Sequence, residues 1–391
     1  MSGVEGYMYP NERTLYWSIL IVLYPYITGL VAGAFILASL VRVFRVESVR
    51  PTYRLALLTA LSFLIVAPLP LQLHLGHPER SYEMYFTPHG TSAMAMFGYV
   101  YLWYLMAVLV FELWLDYRKE IVEHSQTARP ALRWIYKIMT LGSTNVSPEA
   151  LAVDEHVGWI VTIVGIPSAF LLHGYVGFIF GSIKANPWWS SPLMPAVFIF
   201  SAMVSGIAAV MLLYMAVTKL RGLHVDVRCV DTIAMYLFYI FLIDFGLEML
   251  DLVHRIYEAD ESFRALNFMV HTKLYFSQIV LQLGIGTVLP ILLLAVTQVT
   301  KLAVATRKRI YALVGGLTMI GVFAMRWNVV IGGQLFSKSF LGYTTYKVEL
   351  VTREGLLITA ALLLLPLGIL YVLTQLLPPW LEQEKGLADT R

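Results

Sequence analysis

Nine long apolar stretches, separated by shorter polar ones, set the pattern of this chain. They run over about 14–43, 52–75, 92–116, 154–181, 192–219, 229–257, 270–300, 307–334 and 354–378. A bilayer core of about 30 Å needs roughly 20 apolar residues at about 1.5 Å each, and every stretch reaches that length. Inside lipid an open backbone has nothing to bond to, so each stretch must close its own hydrogen bonds as a helix. The pattern therefore predicts an all-α fold: a polytopic membrane helical bundle of about nine transmembrane helices, forming a single integral membrane domain over 1–391. Several stretches exceed the minimum, which predicts tilted or projecting helices.

The first apolar run is too long for a signal-peptide core and lacks a small-residue cleavage site, so it is expected to remain as the first span. Charge orients the bundle. With the N-terminus outside and the C-terminus inside, the inner connections and tail hold 18 of the 28 basic residues, as positive-inside placement requires. The stretch Tyr117–Val153, with its amphipathic WIYKIM segment, then lies along the inner face.

Composition agrees: 58% of residues are hydrophobic and 14% charged, with a mean hydropathy of +0.70. The net charge of +3 is modest and spread between spans, so no nucleic-acid surface is expected. Cys229 is the lone cysteine. One thiol holds neither an iron–sulfur cluster nor a cysteine-based zinc site, so any electron-transfer role needs metal centres on other subunits unless histidines hold haem.

The polar residues inside spans are the candidate chemistry, because each is costly in lipid unless it faces protein or water. The fourth span carries Asp154, Glu155 and His156 at one end and His173 and Tyr175 at the other, roughly 28 Å apart along a helix, with Pro167 between. The sixth carries Asp244, Glu248, Asp251 and Arg255 on one helical face. The seventh has Gln278 and Gln282, and the eighth has Arg326, for which Asp244 or Glu248 is the natural counter-ion. Depth adds a second argument. In the chosen orientation His74, His173, Tyr175, Glu248, Asp251, His254, Arg326, Asn328 and Gln334 all lie in the outer half, outlining a polar pocket with aromatic walls. An amphipathic ring such as a quinone suits it, with His173 bonding an oxygen, Tyr175 or a first-span tyrosine such as Tyr24 orienting the ring, and Asp244, Glu248 and Arg326 relaying protons. Glu112, Asp154, Glu155 and His156 mark a proton route from the inner side. Structural ion pairs and helix-end charges account for the same residues, and both readings stay open. Two other functions remain: a haem b anchor with His74 and His173 as axial ligands, and a proton-coupled secondary transporter.

Four phrases resemble the polysulfide reductase membrane-subunit (NrfD-type) family. YPYITGLVAGAF is similar to its opening helix, and RLALLTALSFLIVAPLPLQLHLGHPER to its second, with His74 and His77 replacing an aspartate and an arginine. HGYVGFIFGS through KANPWWSSPLMPAVFIFSAMVSGIA resembles its fourth and fifth helices, and MRWNVVIGGQ the eighth-span phrase of the DsrP-like and HybB-like branch. The resemblance implies a quinone-interacting subunit of a respiratory redox complex in the cytoplasmic membrane, with menaquinone as the expected quinone and no metal or haem of its own. It also implies a ferredoxin-like iron–sulfur partner on the outer face and a further cytochrome, molybdopterin or hydrogenase-type catalytic subunit.

Overall fold

The computed structural model describes residues 4–258 and 262–380. Among them nine helices are long and apolar enough to span a membrane: Ile19–Arg42, Glu47–His74, Ala95–Thr127, Pro148–Gly181, Met194–Leu220, Val227–Tyr257, Tyr275–Val299, Val304–Gln334 and Leu356–Leu376. The expected boundaries move where polar sequence continues a helix. The fourth span begins at Pro148, because Ser147 caps it by accepting from the Ala150 amide at 3.3 Å and proline fits a first helical position. Asp154 is thus about two turns inside, and the helix passes unbroken through Pro167. The third span runs on to Thr127 through charged residues. The seventh starts at Tyr275, since Ser262–His271 forms a separate short helix.

The first span is the axis of the bundle. Its whole apolar window is buried, 100% against 22% for the ninth span. Small residues permit this. A Cβ on Gly33 would overlap the Ala202 carbonyl and the Gly206 backbone, so the first and fifth spans touch main chain to main chain. Gly286 and Gly321 do the same for the seventh and eighth. Two spans contain wide π-helical turns, Tyr104–Val110 in the third and Tyr275–Val288 in the seventh. Such turns are rare and re-aim side chains, and the second carries both Gln278 and Gln282.

The segment before the first span folds across one end of the bundle, the N-terminal face. Glu5–Gly6 pairs antiparallel with Gly342–Tyr343, Lys273 reaches Glu5 at 2.6 Å, and Glu12 accepts from Ser337. Gly6 takes φ +75°, and a side chain there would strike the Leu341 carbonyl. On the same face Trp17 stacks on Trp189 at 5.0 Å, while Gln334 reads both the amide and the carbonyl of Trp17.

Candidate functional site

Arg326 of the eighth span and His173 of the fourth meet in the middle of the bundle, both at 0% exposure. The Arg326 Nη2 donates to His173 Nε2 at 2.9 Å and to Ser201 Oγ at 2.7 Å, and its guanidinium carbon lies 4.1 Å from the Phe198 ring centre. A guanidinium only donates, so Nε2 must supply a lone pair, which leaves the imidazole neutral with its proton on Nδ1. Nδ1 lies 3.2 Å from Thr28 Oγ1, whose own proton goes to the Tyr24 carbonyl at 3.1 Å. The ring stacks on Phe198 at 5.7 Å. Both nitrogens are therefore engaged. The sequence puts His173 on a pocket wall; the structure brings it to Arg326 and Thr28.

The expected ion pair between Arg326 and Asp244 or Glu248 is not a contact pair. The guanidinium turns toward the fourth and fifth spans, whereas Glu248 turns to the seventh. Gln282 Nε2 donates to Glu248 Oε1 at 3.1 Å, Asn328 Nδ2 to Gln282 Oε1 at 2.8 Å, and Ser277 Oγ to Asn328 Oδ1 at 2.6 Å. Asn328 is thus a link in an amide chain. Arg326 Nε, Asp244 Oδ1, Glu248 Oε2 and Gln278 Oε1 are buried without a hydrogen-bond partner. Native interiors leave few such atoms, and these four lie in the neighbouring sixth, seventh and eighth spans.

The acidic stripe of the sixth span divides. Asp251 does not join Asp244 and Glu248: it accepts from Ser191 and from Arg255 Nε at 2.8 Å, and Arg255 holds the Pro187 and Trp188 carbonyls. That clamp secures the connection between the fourth and fifth spans. His254 is exposed beside it.

Tyr24 and Tyr175 both pack on Phe97 of the third span. Tyr24 meets Phe97 edge-on at 5.4 Å, and Phe97 stacks on Tyr175 at 6.1 Å. Neither phenol hydroxyl has a hydrogen-bond partner among the described residues, unlike neighbouring Tyr101, which donates to the Leu64 carbonyl at 2.8 Å. Two phenols about one aromatic ring offer hydrogen-bond donors beside a flat apolar face. His74, at the end of the second span, places Nδ1 3.2 Å from both carboxylate oxygens of Glu354.

The other end of the bundle has its own buried carboxylate. Glu112 accepts from Thr162 at 2.7 Å and from Tyr53 at 3.5 Å, while Tyr53 accepts from Arg42 at 2.7 Å. Asp116 pairs with Arg54 at 2.8 Å. Asp154 stands apart, paired with Arg118 at 2.6 Å, and Glu155 and His156 are exposed on the fourth span, the latter against Trp159. The structure brings Glu112 to Tyr53, Arg42 and Thr162; it does not bring Asp154, Glu155 or His156 to Glu112.

Sequence reasoning missed Thr28, Ser201, Phe198, Phe97 and Glu354. Thr28 alone carried a signal, lying one turn from Tyr24 on the same helical face. The others reach the site through packing between distant spans.

Comparison with known proteins agrees with this architecture. The family model described as Polysulphide reductase, NrfD matches residues 9–338. A selenate reductase subunit of Mesobacillus selenatarsenatis is 28% identical over 332 residues, 81% of this chain and 73% of that protein. A putative dimethyl sulfoxide reductase membrane subunit of Halobacterium salinarum is 28% identical over 71% of this chain. Protein NrfD of Escherichia coli is 30% identical over 54%. The chain spans 61% and 63% of the lengths of these last two.

Proposed function

The chain belongs to the NrfD polysulphide reductase family, and from that premise we propose that it is the quinone-reactive membrane subunit of a reductase-type redox complex. The observation that carries this reading is the pair of unpartnered phenols, Tyr24 and Tyr175, on either side of Phe97. A bound quinone, with menaquinone the expected kind, would supply two-electron, two-proton chemistry. Tyr24 and Tyr175 would hold its oxygens as donors, and Phe97 would support the ring. Thr28 stands one turn deeper along the first span, donates to the Tyr24 carbonyl and meets His173 of the fourth span.

In the positive-inside orientation the N-terminal face is the outer side, where an iron–sulfur partner subunit would dock and a further catalytic subunit would complete the electron path. Proton movement is assigned to the buried polar region. Arg326 holds one proton-bearing nitrogen against His173, and the open oxygens of Asp244 and Glu248 accept protons across the same interior. Glu112, with its Tyr53, Arg42 and Thr162 neighbours, would be the inner station of that route, and Asp154, Glu155 and His156 its surface surround.

The test is binding of the fluorescent quinol analogue heptyl-hydroxyquinoline N-oxide to the purified complex. Tyr24→Phe and Tyr175→Phe should each weaken binding by about five- to tenfold, the worth of one hydrogen bond of about 1–1.5 kcal/mol. Equal binding by wild type and both variants would remove this cluster from the site.

A further inference from the structure

His74 and Glu354 are 280 positions apart in sequence, and only the fold makes them neighbours. Leu69–His74 is a short helix set off from the body of the second span at Ala67–Pro68 and packed on the first span. The loop entering the ninth span docks against its end with two consecutive side chains. Arg353 Nη2 donates to the Leu75 carbonyl at 3.2 Å, and Glu354 faces His74 Nδ1 with both oxygens at 3.2 Å. A carboxylate only accepts, so the pair puts the imidazole proton on Nδ1 and directs the Nε2 lone pair away from Glu354. The side chains are 24% and 35% exposed, so the pair has access to water. It also adjoins the first span: Ile19 N donates to Tyr346 Oη at 3.1 Å, and the Tyr346 phenol, raised above its ordinary range by burial, feels the Glu354 and Glu349 carboxylates as well. Ile19 precedes Tyr24 by five residues, roughly 8 Å of helix.

The structure assigns His74 and Glu354 as a proton-exchange pair beside the first span, the span that carries Tyr24, in which Glu354 is the positioning residue and His74 the base. This rests on the quinone reading above. In quinol oxidation the two quinol O–H bonds break in turn, each proton forming an N–H bond at His74 Nε2 and passing on to water at the N-terminal face before the next arrives. The two electrons leave one at a time to a one-electron acceptor of the iron–sulfur class. The ninth span thereby becomes part of the site through a residue outside the expected set. An ordinary half-exposed salt bridge would contribute about 0–1 kcal/mol to stability and nothing to turnover.

The experiment compares wild type, Glu354→Gln, Glu354→Asp and His74→Gln in the intact complex. Turnover uses menadiol, binding uses the quinoline N-oxide probe, and diethyl pyrocarbonate labelling of His74 is read by mass spectrometry without any quinol present. Glu354→Gln should lower kcat about tenfold, the usual effect of removing an orienting carboxylate, with KM and probe binding unchanged. Labelling at Nε2 should slow in the same variant, and Glu354→Asp should recover much of both. Unchanged kcat and labelling in Glu354→Gln, with probe binding intact, would overturn the pair and leave the quinone reading standing. Absence of probe binding in wild type would overturn both. Should Glu354→Gln fail to assemble, Glu354→Asp and His74→Gln carry the same comparison.

Discussion

Replacing His173 by alanine tests the central geometry most directly, because the loss can be worked out contact by contact. The substitution removes the acceptor of a charge-assisted bond from Arg326 Nη2 at 2.9 Å, worth about 1.5–3 kcal/mol. It removes the Thr28 bond, worth about 1 kcal/mol, and the stacked contact with Phe198, worth about 0.5–1.5 kcal/mol. Arg326 keeps Ser201 and the π face of Phe198, so the sum is expected at roughly 3–5 kcal/mol rather than more. Most of that cost is a buried cation deprived of an acceptor. It follows that adding Arg326→Met to His173→Ala should return roughly 1–3 kcal/mol, making the double variant more stable than the single one. His173→Gln, whose amide oxygen can accept from Arg326, should lose about half as much as alanine. Unfolding in mixed dodecyl maltoside and dodecyl sulfate micelles measures these proteins together with the Arg326→Met single variant. If His173→Ala lies within about 1 kcal/mol of wild type, or if the two substitutions add, Arg326 does not depend on His173 and the reasoning fails.

Other expectations follow from single contacts. Gly33→Ala places a methyl against the Ala202 carbonyl and Gly206, so it should cost at least about 2 kcal/mol in the same assay, whereas Gly316→Ala, with nothing near its added carbon, should be close to neutral. Gly29→Ala puts a carbon 3.3 Å from His173 Cε1, and a drop in menadiol turnover with normal assembly would show that the imidazole must keep its place to within a few tenths of an ångström. Gln282→Leu leaves Glu248 without its donor and Asn328 without its acceptor, and should destabilise by roughly 2–4 kcal/mol, measured against Gln278→Leu, whose oxygen has no partner to lose. Arg118→Ala breaks the Asp154 pair and the Asn145 carbonyl contact at the opposite face, yet probe binding should match wild type; reduced binding would tie that face to the site.

Much of this protein is readable from its order of residues alone. Nine apolar runs of spanning length leave the backbone no option but helices, so the fold class and the family follow from period, length and a few phrases. Polar residues within those runs are conspicuous for the same reason, and Arg326, His173, Asp244, Glu248 and Tyr24 stand out before any geometry is known. Which of them touch is a different matter. Helical periodicity puts Asp244, Glu248, Asp251 and Arg255 on one stripe, but a stripe facing two environments divides, and Asp251 closes a surface loop while Glu248 meets Gln282. The direction of a guanidinium depends on which spans lie within its reach, so Arg326 turns to an imidazole and a serine from other helices instead of the acids its charge suggests. Phe97 between two phenols, and Glu354 against His74, bring together residues from different spans that no local pattern marks as neighbours. Sequence determines what each helix must bury and expose. Only packing of one helix against another, which no local pattern records, decides the partner each buried group receives.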